Sequence, residues 1–82
     1  MLMIHCSLNV PIRLLDEPNA KEQINDLAER EARKQIADTH PGWAAFRMHQ
    51  LAIYKLADPT IPGHLLVMAM YSYSLCRYPL SA

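Results

Sequence analysis

The feature that most constrains this chain is the stretch 19–38, NAKEQINDLAEREARKQIAD. Its apolar residues fall at Ala20, Ile24, Leu27, Ala28, Ala32 and Ile36, the repeat of a helix with one buried stripe. The remaining positions are mostly charged or amide side chains, so the opposite face is solvated. Asn19 can accept a first-turn N–H, and Glu22 can reach back to the Asn19 amide, which predicts a capping box. Pro41 and Gly42 stop the helix soon after Asp38. A helix with a single stripe must lay it on a partner surface, and both flanking regions read as strands.

Residues 2–12 alternate cleanly, with Leu2, Ile4, Cys6, Leu8, Val10 and Ile12 on one side and Met3, His5, Ser7, Asn9 and Pro11 on the other. Period two over this length means a strand with one buried side. Pro11 cannot donate to a ladder, which fits an edge strand or a strand end. Leu14 and Leu15 can fold back under the helix. Residues 39–42 form a short loop. Residues 43–56, WAAFRMHQLAIYKL, carry apolar residues at both helical and strand spacing. The aromatic content and the following segment favour a strand. Residues 57–63, ADPTIPG, have turn chemistry, and residues 64–76, HLLVMAMYSYSLC, are too apolar on both sides for a half-exposed edge, so they predict a central strand. The tail 77–82 contains Pro79 and is expected to be loosely held.

The order is strand, helix, strand, strand. A right-handed crossover makes the first two strands parallel, and the third inserts between them, antiparallel to both. The expected fold is therefore a single two-layer α+β domain spanning 1–82, β-α-β-β, with one helix on a three-stranded, mostly antiparallel sheet of order 1-3-2.

Eighty-two residues make a small core. Such a chain buries only somewhat more than ~60% of its unfolded surface, and self-association is the simplest reinforcement. Lys+Arg 8 against Asp+Glu 8 leaves no net charge, which disfavours nucleic acid as a partner. The N-terminal residues have no basic leader or cleavage signal, and the longest apolar run, 65–70, is far below the ~20 residues of a membrane span. The expectation is a cytoplasmic protein with no membrane contact.

Matching apolar sets across the 43–56/64–76 hairpin places Leu56 opposite Leu65, Tyr54 opposite Val67, Ala52 opposite Ala69 and Phe46 opposite Leu75, all facing the helix. The other face then carries Leu51, Ile53, Leu66, Met68, Met70 and His49. One helix cannot cover that face, and an uncovered apolar patch marks an interface.

Chemistry is thinly signposted. Four histidines and two cysteines lack CxxC or HExxH spacing, so no metal, catalytic or cofactor residue is assigned. In the expected sheet, His5 and His49 flank Ser72. Cys6 lies near Tyr71, several residues from Cys76, so both thiols are expected to be free. The acidic residues of the helix lie on its solvated side, without the burial that paired carboxylates need for acid–base work. Trp43, the single Trp, stands at the start of the second strand. In outline the chain resembles the dodecins, small oligomeric flavin binders with the same strand–helix–strand–strand order; that resemblance is topological and implies a flavin-binding alternative. The leading expectation is a non-enzymatic protein-interaction module, accessory or inhibitory. It would be homo-oligomeric, without cofactor, and partnered with itself, another protein or both. A small histidine-dependent enzyme is the third reading.

Overall fold

Four elements and a connecting turn of 3-10 helix follow one another in the structure, a computed structural model that describes residues 1–77. β1 spans Leu2–Pro11, the 3-10 turn Ile12–Asp16, α1 Ala20–Thr39, β2 Trp43–Ala57 and β3 His64–Arg77. The sheet order is β1-β3-β2, with β3 antiparallel to both neighbours and α1 on one face. The α+β fold and strand order expected from the sequence are those observed, and residues 43–56 lie wholly within β2. Arg77 closes β3, and residues 78–82 of the expected tail lie outside the described residues.

The helix meets the sheet through one row. Ile24, Ala28, Ala32 and Ile36 are its buried residues, each four positions from the last. Leu27 lies off this row and is exposed. The two alanines in the middle let the helix backbone approach closely, and Ala28 and Ala32 pack with Cys6, Ala69 and Tyr71. At the other end Ile24 joins Val10, Leu65 and Val67, with Leu14 of the 3-10 turn against them. Leu14 thus folds under the helix as expected, while Leu15 is exposed. Fully burying a side chain such as Ile24 or Val67 contributes roughly 1.5–3 kcal/mol.

The ends of α1 are closed differently from the capping box. Asn19 is the N-cap, at φ −115 and ψ 34, and makes no side-chain bond to the helix backbone. That ψ lies outside the extended region from which a cap side chain reaches N2 or N3. Asn19 Oδ1 instead accepts from Gln23 Nε2 at 2.5 Å. At the C-terminus His40 N–H donates to Ile36 O, and Gly42, at φ 83, turns the chain into β2. Arg33 pairs with Glu29 at 3.6 Å and donates from Nη1 to Ala45 O at 3.1 Å, tying α1 to the start of β2.

β2 and β3 form a long hairpin that reaches past β1. β1 pairs with β3 only as far as Leu2 opposite Tyr73, so Ser74 to Arg77 pair with β2 alone. The molecule's longest extent, 46 Å, matches the fourteen residues of β3 at ~3.3 Å each. β2 carries register shifts between Phe46 and His49 and between Gln50 and Ala52. Arg47, at φ 53, lies inside the first, the left-handed backbone that a bulge imposes.

Asp58 organises the hairpin turn. Its Oδ1 accepts from Thr60 N–H and the Thr60 hydroxyl, both at 2.7 Å, and from Ile61 N–H at 3.2 Å. Its Oδ2 accepts from Asn9 Nδ2 of β1. Its backbone N–H donates to His64 O at 3.0 Å, so the pair closing the hairpin is Ala57 with Leu65. The Thr60 donors, with the Ile61 amide and nearby His64, hold the Asp58 carboxyl below its ordinary value.

Two outcomes follow from this packing. Ala28→Leu should overfill the helix–sheet contact and destabilise the fold by about 1–3 kcal/mol in denaturant titration. Asp58→Ala should lower the melting temperature at neutral pH. A depressed carboxyl stabilises above its unfolded pKa of about 3.9 and loses that contribution as pH falls through the folded value. The gap between wild type and Asp58→Ala should therefore close below about pH 4. A gap of equal size at pH 2 and pH 7 would rule out the charge as its cause.

Candidate functional site

The register divides the sheet residues between two faces. Directly opposite residues of antiparallel strands share a face. On the helix side lie the rows Ile4–Tyr71–Gln50, Cys6–Ala69–Ile53, Leu8–Val67–Lys55 and Val10–Leu65–Ala57. On the outer side lie Met3–Ser72–His49, His5–Met70–Ala52, Ser7–Met68–Tyr54 and Asn9–Leu66–Leu56. Phe46 opposite Ser74 and Ala44 opposite Cys76 extend the outer face along the hairpin.

This assignment corrects the expected face in one respect. Leu66, Met68, Met70 and His49 are on the outer side as expected. Ile53 is not: it stands opposite Ala69 and packs against both clusters of the core under the helix. Leu51 falls within the second register shift, half exposed, without a partner residue opposite it. The expected hairpin was one residue out of register between 52 and 57. Leu56 pairs with Leu66 and Tyr54 with Met68, because the Asp58 turn draws Ala57 into the ladder. Near the other end Phe46 pairs with Ser74 rather than Leu75. Tyr54, Leu56 and Ala52 consequently join the outer face in place of Ile53, and Tyr54 is 64% exposed there.

The outer face is apolar in the middle and carries formal charge only at its ends, where the Asp58 carboxylate accepts from Asn9 and the Arg47 guanidinium lies 5.5 Å from the centre of the Phe46 ring. Met3, Tyr54, Leu56 and Met68 are exposed there, with Leu66 and Met70 half-buried. No outward position in these rows is Asp, Glu, Lys or Arg, although the chain has eight acidic and eight basic residues. A concavity of about 630 Å³ lies here. Its lining includes His5, Ser7, Tyr54, Met68 and Met70 from the outer face and Gln35 from the helix, so it curls round the middle of β1.

The polar groups of interest are dispersed. His49 stands opposite Ser72, but Met3 rather than His5 occupies the other flank, since His5 pairs with Met70. The His5 ring meets Met70 Sδ at 2.8 Å. Among the described residues no three His, Cys, Asp or Glu side chains group as a metal site. Both cysteines are free. Cys6 lies opposite Ala69, two positions from the expected Tyr71, and its thiol points to Ala28 O at 3.6 Å. Burial, with Glu31 nearby, raises its pKa, which suits packing rather than nucleophilic attack. Tyr71 is buried with its hydroxyl accepting from Gln50 Nε2 at 3.2 Å, and burial raises its pKa as well. Gln50 Nε2 also donates to Asn25 Oδ1 of the helix at 3.5 Å, so this amide joins the two layers. Trp43 is half-buried with the Arg77 guanidinium 5.3 Å from its ring centroid, a cation–π contact across the open end of the hairpin.

No family model, curated protein or solved structure matches the chain. No helix of the structure is long and apolar enough to cross a membrane.

Adjacent residues of β2 should respond oppositely to the same substitution. Ile53→Lys should destabilise the fold by about 2 kcal/mol or more, through lost packing and a charge brought against the core. Tyr54→Lys should leave subunit stability within about 0.5 kcal/mol when unfolding of the dissociated subunit is measured. Equal sensitivity at the two positions would contradict an inward Ile53 beside an outward Tyr54.

Proposed function

We propose that the protein is a non-enzymatic interaction module, accessory or inhibitory in kind, whose working surface is the outer face of the sheet. The carrying observation is the absence of Asp, Glu, Lys and Arg from every outward row, around an exposed centre of Met68, Tyr54 and Leu56. Charge depletion over an aromatic and methionine centre is the composition of an interface core. Solvated sheet faces ordinarily interleave charges with their apolar residues.

The occupant that best fits is a second copy of the chain, packed sheet against sheet. A face with no charge at its centre meets its own copy there without like-charge repulsion, and small domains gain most from such pairing. The size is also suitable. Three strands about 4.8 Å apart and ten residues long span roughly 450 Å² in projection, and side-chain relief brings this toward the ~800 Å² per partner of a standard interface. A different protein presenting an apolar, uncharged patch would use the same surface. Methionine suits that adaptability.

Combining Tyr54→Lys with Met68→Lys places two charges at the centre of the face without entering the core. The assembly mass by light scattering should fall by about half, with the circular dichroism of the fold retained. An unchanged mass would place the contact elsewhere and overturn this reading.

A further inference from the structure

β1 presents a second surface, along its open edge. It lies at one side of the sheet, and among the described residues no strand pairs with its outer side. An open edge offers unpaired N–H and C=O groups, and proteins ordinarily blunt it with charges, bulges, proline or brevity. The two edges of this sheet are unequal in that respect. β2 has two register shifts, Arg47 in left-handed backbone within the first, Lys55 further along, and a carbonyl at Ala45 that accepts from Arg33. β1 runs ten residues in unbroken register, with no Asp, Glu, Lys or Arg. Its one proline, Pro11, stands only at the last position.

The helix-facing side chains of β1 supply an independent argument. Cys6 and Val10 are buried, but Leu2 is 41% exposed and Ile4 and Leu8 are only half-buried. The helix packs on β1 at Cys6 but leaves the side chains flanking it incompletely covered. Ile4 and Leu8 stand two positions either side of Cys6, and Leu2 and Val10 four positions either side. Antiparallel pairing of β1 with its own copy about Cys6 therefore sets Ile4 against the partner's Leu8 and Leu2 against the partner's Val10. Such a two-fold axis is normal to the sheet and keeps each helix on the same side, so apolar meets apolar along the whole helix-facing row.

We infer that β1 pairs antiparallel with β1 of a second copy of this chain, about a two-fold axis through Cys6, forming a continuous six-stranded sheet. This contact is separate from the outer-face contact and does not depend on it.

Amide hydrogen exchange on the full chain tests it. In a lone subunit, alternate β1 amides point to solvent and exchange as fast as the open-edge amides of β2. Pairing should slow those β1 amides by about tenfold or more, increasingly with protein concentration, while the β2 edge stays fast. The same protection should persist in the Tyr54→Lys/Met68→Lys chain. In a mixed-isotope sample, contacts between subunits should centre on Cys6. Outward β1 amides that exchange like those of β2 at every concentration would overturn the inference. Ile4→Lys, an inward charge at the open edge, should abolish the protection; if that variant does not fold, the wild-type exchange still decides. β1 protection with a mass unmoved by the face substitutions would sink the outer-face reading alone. A mass that those substitutions halve, with unprotected β1 amides, would sink the edge pairing alone.

Discussion

The fold depends on the close contact of one narrow helical row with one face of the sheet. Ile24, Ala28, Ala32 and Ile36 lie four residues apart, so the buried surface of α1 is one side chain wide. At its middle the alanines bring the helix backbone down onto Cys6, Ala69 and Tyr71, while isoleucines fill the space at the two ends. Such a row closes over the middle of β1 and β3 but not over the whole length of the edge strands or over the reverse of the sheet. The half-exposed Ile4 and Leu8, the exposed Lys55 and the uncovered outer face all follow from that limited width. Packing here decides both what is stable and what remains available for contact.

Charge is distributed to match. The helix carries much of the charge on its solvated side, and Glu29–Arg33 pair there in the favourable i, i+4 order. An exposed pair of this kind contributes little to stability. Its larger consequence is that Arg33 also reaches Ala45 O, satisfying a carbonyl of the β2 edge. The paired rows of the outer face have no such charges, and only Asp58 and Arg47 reach its ends. With no net charge on the chain, the asymmetry lies in placement rather than in total.

The helix and the first strand were legible because the apolar repeats of 19–38 and 2–12 each have one dominant phase, and the strand order because 64–76, apolar on both sides, belongs at the centre of the sheet. The hairpin register was not. β2 is apolar at both odd and even positions, including Phe46, Met48, Leu51, Ala52, Ile53 and Tyr54, so matching apolar residues accepts either register. The decision lies in local hydrogen bonding: Asp58 closes the turn one pair further out than apolar matching implies. An Asp followed by Pro and Thr at a hairpin tip was the available signal, since its side chain mimics a turn. The bulges were less accessible. Arg47 has no intrinsic preference for positive φ, and only the sheet's bend requires it. Thus four of the six residues expected on the outer face are there, Ile53 belongs to the core, and Tyr54 and Leu56 needed the register.

The two unsatisfied surfaces are geometrically compatible, which bears on how a chain this small could form a closed assembly. Pairing along β1 has its two-fold axis normal to the sheet, so the outer faces of both subunits remain on one side and become a single surface twice as wide. Packing that surface against another has its axis between the layers, parallel to them, and sheets so packed cross at about −30° from their twist. Perpendicular two-fold axes combine into a closed set of four subunits with no repeating open contact. The protection of the β2 edge fits the same geometry. If β2 were as bare as β1, each six-stranded sheet could add further copies at both ends and grow without limit. The bulges, Arg47 and Lys55 oppose that growth on one side only, leaving the regular, uncharged strand as the place where the sheet can extend once and stop.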